Sequence, residues 1–265
     1  HFDDLVLERA YYADPLAKDD IRSVQSRQFT PFTGSLFLGN DHRPLWIRIT
    51  LAPSAHAEWV ITYQPNFIHR IETWLPKADG QWSMVAVGSA LAFNQQAIGT
   101  LAPSLRVTPH AEQTTTIYAR VTSPTTPFYV RVMSRDDSAH FDSLIQLVVG
   151  SFIGISLILS LLSFMIYTMT RDRLWLFDVL FNLSGLSILL IQIGLASKLI
   201  WPSSTDWVNQ LCLIANCFYP FATSLLHRQI FRLYALAPWL YWPNTLALLS
   251  FPVLLGLIVA GYGDV

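Results

Sequence analysis

"LIQLVVGSFIGISLILSLLSFMIYTMTRDR", Leu144–Arg173, carries no charged side chain before Arg171. A helix needs about 20 apolar residues to cross the hydrocarbon core of a bilayer. Leu144–Thr170 supplies 27 uncharged residues, so this stretch is read as a membrane span. Working outward from it, the chain has two unlike halves. Residues 1–143 hold 12 of the 17 Lys and Arg and 14 of the 18 Asp and Glu, and residues 144–265 hold the remaining 5 and 4. The first half has the charge density of a water-soluble domain; the second is nearly charge-free. Neither is strongly basic, which argues against nucleic acid as a partner.

Three more uncharged runs follow: Val179–Ser197, Trp207–Leu226 and Leu233–Gly263. The pattern predicts a region over 141–265 with four spanning helices, at about 144–170, 174–197, 207–227 and 240–262. Pro238 and Pro243 place the start of the last near Tyr241, with a bend at Pro252. Basic residues cluster in the first and third connections, Arg171 with Arg173 and Arg228 with Arg232, whereas the second has only Lys198. Basic loops favour the cytoplasm, so the N-terminal half is expected outside, in a bacterium the periplasm. Trp201, Trp207, Trp239, Tyr241 and Trp242 fall near predicted helix ends, as an aromatic belt requires.

Gly150 and Gly154 form G-x-x-x-G, followed by Ser156 and Ser160. Such spacing lets helices approach closely; packing within the chain is the favoured reading, a homodimer contact the other. Asp178 is the sole acid inside a predicted span. It lies about one turn past Arg173, which favours an ion pair or a solvated end over a functional carboxylate. Asn182, Gln192, Gln210 and Asn216 are amides within the spans, with no evident cluster, and Cys212 and Cys217 are read as packing residues.

Residues 1–140 show alternation with period two. Leu45, Ile47, Ile49 and Leu51 share one face of a strand, as do Ile117, Ala119 and Val121, and Phe128, Val130 and Val132. Further strands are expected at Ser35–Leu38, Trp59–Tyr63, Ile68–Trp74, Trp82–Val87 and Leu105–Val107. Turn signals separate them, at Gly39–Asp41, Asp79–Gly80 and Ser123–Pro127 among others. The fold class is an all-β sandwich of jelly-roll type, followed by a helical transmembrane region. No cysteine lies in this half, so its core and not disulfides holds it.

The opposite strand faces repeat an aromatic residue two before an arginine: Trp46 with Arg48, Tyr118 with Arg120, Tyr129 with Arg131. On one sheet these would form a face of aromatic plates and guanidinium forks, suited to sugar rings, hydroxyls and carboxylates. The favoured alternative is arginines covering exposed aromatics on a solvated face. Trp74 and Trp82 flank the Asp79-Gly80 turn, where core filling is favoured over the rim of a pocket. No phosphate-binding glycine loop, nucleophile elbow or H-E-x-x-H is present. His1, His42, His56, His69, His110 and His140 are scattered without metal-ligand spacing, and Glu58 and Glu72 form no evident catalytic pair. Neither a cofactor nor a metal is expected, and catalysis by this chain is unsupported.

Two stretches together resemble a known family. "LWIRITL", "EWVITYQPNFIHRIETWLPKADGQW" and "VGSALAF" are similar, in that order, to the extracellular sensing domain of bacterial seven-helix receptors with diverse intracellular signalling modules (7TMR-DISM). "GSFIGISLILSLLSFMIYTMTRDRLWLFDVLFNLSGLSILLIQIGLASKLIWP" resembles that family's first two membrane helices. The resemblance implies a periplasmic jelly roll akin to carbohydrate-binding modules, then seven helices and a cytoplasmic diguanylate cyclase or histidine kinase. It implies a sugar or related small molecule as signal, with a partner protein as the alternative. Where the family often carries an arginine soon after "ALAF", this chain reads "NQQAIGT". Four predicted helices fall short of seven, so the chain is expected to be part of a longer receptor, and beginning at His1 it is expected to follow a removed signal peptide or a trimmed boundary. The segment "SRDDSAHFDSLIQ" has no Gly or Pro and is expected to continue the first helix outward. The alternative function is a membrane-anchored carbohydrate- or protein-binding module without signalling.

Overall fold

A computed structural model of the chain describes residues 5–37, 43–54, 58–66, 68–77, 79–122, 127–200, 203, 206–231 and 238–259. The chain divides into two units, His1–Leu144 with Ser197–Thr205, and Ile145–Ala196 with Asp206–Val265.

In the first unit, β1 (Val6–Ala13), a single helical turn α1 (Ile21–Val24), β2 (Thr30–Pro31), β3 (Leu45–Leu51), β4 (Trp59–Gln64), β5 (Ile71–Pro76), β6 (Trp82–Val87), β7 (Ser104–Val107), β8 (Thr115–Val121) and β9 (Tyr129–Ser134) follow in order. They make a six-stranded sheet, β2-β1-β3-β8-β5-β6, and a three-stranded sheet, β7-β4-β9. Every pairing is antiparallel. After β3 the chain crosses repeatedly between the sheets, as in a jelly roll. Alternation explains the core. Leu45, Ile47, Ile49 and Leu51 of β3 face Ile61, Tyr63, Leu105, Val130 and Val132 of the other sheet, all buried. One polar link crosses this core: the Tyr63 hydroxyl and Thr73 Oγ1 lie 2.9 Å apart. Burial pushes the Tyr63 phenol's pKa up, so the group stays neutral.

The expected strands are present with shifted bounds. Ser35–Leu38 yields only a bridge, Leu36 to Phe128. The strand expected to begin at Ile68 begins at Ile71. Between them the chain makes a close approach at Gly88, whose φ is +133°. A Cβ there would stand 2.6 Å from the His69 carbonyl oxygen and 2.9 Å from that of Ile68. β1 has no counterpart among the expected strands, because "VLERAYYA" puts apolar residues and one charge on each face and so hides its period. Leu38, His1, His42, His56, Trp201, Arg232 and the turns at Gly39–Asp41 and Ser123–Thr126 lie outside the described residues, as does the side chain of Trp207.

The helices are α2 (Arg135–Thr170), α3 (Arg173–Gln192), the short α4 (Leu195–Leu199), α5 (Asp206–Ile230) and α6 (Pro238–Val259). α2 follows β9 without an intervening residue and begins nine residues before Leu144. Asp172 caps α3, its carboxylate accepting from the Leu174 N–H at 3.0 Å. Gly194, at φ +79°, ends α3 earlier than its apolar run does. α6 begins at Pro238 and not near Tyr241, since a proline at the first helical position sacrifices no hydrogen bond. Among the described residues, three helices are long and apolar enough to cross a membrane: α2, α3 and Trp239–Leu257 of α6. The helix expected at about 207–227 is present as α5 and is not among these three. Asn216, Tyr219, Pro220, Thr223, Ser224 and His227 dilute the apolar character of α5. α5 packs between α3 and α6, with Tyr219 against Phe181 at 5.5 Å and Phe221 against Phe251 at 4.8 Å.

Candidate functional site

The outward side of the six-stranded sheet arranges its residues in rows. Antiparallel register sets Tyr12 beside Trp46, Trp46 beside Arg120, and Arg120 beside Glu72. The next row runs Ala10, Arg48, Tyr118, Trp74. Two copies of an aromatic-x-arginine repeat, paired head to tail, therefore oppose each aromatic to an arginine. The Arg120 guanidinium lies 5.8 Å from the centre of the Trp46 ring. Trp46 stacks on Trp74 at 4.9 Å, and Trp82 meets Tyr118 edge-on at 5.5 Å.

The middle of this face is covered at Trp46 and Tyr118, where exposed aromatics were expected, while Arg48, Arg120, Trp74 and Trp82 stay half-buried. Asp14–Phe29 lies over it, and Val24 and Phe29 join Ala10, Trp46 and Tyr118 in a second core, with Trp74 and Trp82 packed against it. Trp46 is 0% and Tyr118 7% exposed. The physical reason is area: plates of this size left in water forfeit about 25 cal/mol per Å2, and a local segment recovers it. Arg48 stays at the margin, 4.9 Å from the Phe29 ring centre and ion-paired to Glu8 at 3.1 Å.

Polar bonds hold the covering segment. Asp14 accepts from the Asp19 N–H at 2.9 Å. Asp19, 8% exposed, accepts from Arg27 at 2.8 Å, Ser23 at 2.9 Å and the Tyr12 hydroxyl at 3.0 Å. Arg27, then Ser23 and Tyr12, hold its carboxyl below the usual range against the opposing effect of burial. Burial and the Asp19 carboxylate both raise the Tyr12 phenol. No sequence period marks this segment; its signal was the local Asp20-to-Ser23 capping box. Beneath it, Trp46 Nε1 and Arg120 Nε are buried donors without an acceptor among the described residues.

Tyr129 and Arg131 do not join the other pairs. They lie on β9 in the three-stranded sheet. Arg131 sits between Tyr129 and Phe141, 5.1 Å from each ring centre, and so clamps the start of α2. The Tyr129 hydroxyl donates to the Gln64 amide oxygen. Ser134 caps the helix by accepting from the Asp137 N–H at 3.1 Å. Glu58 binds Arg135 at 3.3 Å, with Arg106 at 3.9 Å.

In the membrane unit, Asp178, expected to form an ion pair or lie at a solvated end, has neutral partners. Ser163 donates to it at 2.6 Å and Asn182 at 3.2 Å. Asn182 thus belongs to a polar cluster that sequence spacing alone did not reveal, because the cluster needs two helices. Among the described residues, a Cβ added at Gly150 or Gly154 would meet nothing within 4 Å. Cys212 and Cys217 are free thiols. Among the described residues no group of His, Cys, Asp and Glu is placed to hold a metal.

A β-sandwich whose last strand runs directly into a long apolar helix defines a membrane protein with an N-terminal domain outside its helical region. The family model for 7TMR-DISM extracellular 2 matches residues 8–134, and that for 7TM diverse intracellular signalling matches residues 145–264. The chain belongs to the 7TMR-DISM family. No curated protein matches it.

Proposed function

We propose that the chain is the sensing and transmembrane part of a bacterial inner-membrane receptor that couples a periplasmic signal to a cytoplasmic diguanylate cyclase or histidine kinase. The observation that carries this reading is the passage of β9 into α2 without an intervening residue. A slack tether would serve an anchored binding module equally well; an unbroken, clamped helix serves a transmitter. A ligand moves such a helix only through different affinities for two states.

The proposed ligand face is the row of Trp46, Arg48, Tyr118 and Arg120 with Trp74 and Trp82, reached when Asp14–Phe29 yields. The stranded donors Trp46 Nε1 and Arg120 Nε support a ligand that brings acceptor oxygens, such as an acidic sugar or another small carboxylate. Tyr129 and Arg131 are assigned to coupling. The test is a thermal-shift screen of the chain in detergent against sugars, uronic acids and organic acids. A ligand of the folded state raises the melting temperature saturably by mass action. The expected result is a shift with acidic sugars that Arg120→Ala and Trp46→Phe abolish while the domain stays folded. A shift insensitive to both variants would remove this face, and no shift across the library would favour a partner protein as the signal.

A further inference from the structure

Without water, a serine or threonine hydroxyl in a membrane helix turns back to a carbonyl one turn earlier. Thr168, Thr170, Ser187, Thr223 and Thr245 do so at 2.7–2.8 Å. Ser156 and Ser160 of α2 do not, although they are only 8% and 6% exposed. Ser160 Oγ is buried with no partner among the described residues. A two-residue connection makes α2 and α3 antiparallel, and the Ser163–Asp178 bond fixes their register. At about 1.5 Å per residue, Ser160 then comes level with Asn182 and Ser156 with Gly185. Between the helices lies a cavity of about 370 Å3, lined by Phe152, Ser156, Phe181, Asn182, Gly185 and Tyr219 among others. Asn182 directs its amide nitrogen to Asp178, which leaves its oxygen as an acceptor.

We propose that this cavity is a ligand site in the membrane region for a small uncharged amphiphile with a hydroxyl head. The head lies between Ser156 and Asn182, and the chain lies against Phe152, Phe181 and Tyr219. Its volume falls at the small end of ligand sites, about 300–1,000 Å3, and its lining is mainly apolar with a few convergent polar groups. A hydroxyl both donates and accepts, as Ser156 and the Asn182 oxygen require. An anionic head would face Asp178. A cationic head would arrive at a carboxylate already bonded by Ser163 and Asn182, and either charge is costly at this depth.

The test uses the chain in phosphatidylcholine nanodiscs and a decanol probe bearing a diazirine near its chain end, with cross-links mapped by mass spectrometry. The expected result is saturable labelling of the Phe152–Ser156 and Phe181–Leu189 peptides. Decanol should displace it at roughly tenfold lower concentration than decane, decanoate or decylamine. Ser156→Ala should erase that preference. Gly185→Leu should fill the cavity, since even a Cβ there meets the Tyr219 ring at 3.4 Å, and should reduce labelling about fivefold. Labelling spread evenly along exposed Leu157, Ile158 and Leu161, labelling indifferent to both variants, or no labelling would overturn the proposal.

Discussion

Gly88 shows how a single position fixes local geometry. Its φ of +133° excludes ordinary side chains, and the carbonyls of Ile68 and His69 occupy the place of a Cβ. Gly88→Ala is expected to destabilise the sandwich by about 1–3 kcal/mol from the backbone conformation alone, read as a lower urea midpoint of the chain in detergent. An unchanged midpoint would show that the neighbouring strand yields. Residue identity was legible in the sequence where one face decides it: Ile47, Ile49 and Ile117 alternate and all are fully buried. The aromatic–arginine pairs were legible as a pattern, but not their surroundings. Spacing says that Trp46 and Arg48 share a face; it cannot say that Phe29 and Val24 close over it.

At the scale of elements, that closing segment is the part least visible beforehand. Asp14–Phe29 holds one helical turn and no alternation, so neither helical nor strand periodicity marks it. Its stability rests on Asp19, whose folded carboxyl titrates below its ordinary value near 3.8. A lowered folded pKa contributes stability above the unfolded value, and the contribution is lost as pH falls through the folded one. The segment is therefore expected to loosen in acid below about pH 3.8, seen as quenching of Trp46 and Trp74 fluorescence. Asp19→Asn should remove that step; a step of equal size in the variant would place the titration elsewhere. The outward extension of α2, expected of a stretch without Gly or Pro, is present. α2 extends nine residues before its apolar run because Ser134 caps it and Arg131 and Glu58 hold its first turns, whereas hydropathy reports only the part that lies in lipid. The Ser163–Asp178–Asn182 cluster was hidden because its members lie on two helices.

For the molecule as a whole, the proposed function turns on the passage from sheet to helix. The sandwich ends in β9, and the same run of backbone becomes a 36-residue helix, about 54 Å long at 1.5 Å per residue. The clamp is built from both chemistries available there: Phe141 against Arg131, and Arg135 with Glu58. Exposed ion pairs of this kind contribute little singly, so the aromatic contact and the cap are expected to dominate. Amide hydrogen exchange over residues 135–144, with the chain in nanodiscs, tests this most directly. The account predicts protection comparable to β4 and β9, reduced when Arg131→Ala and Ser134→Ala are combined. Exchange at the rate of an unstructured peptide would mean that a slack tether joins the sandwich to the membrane, and would contradict transmission through α2.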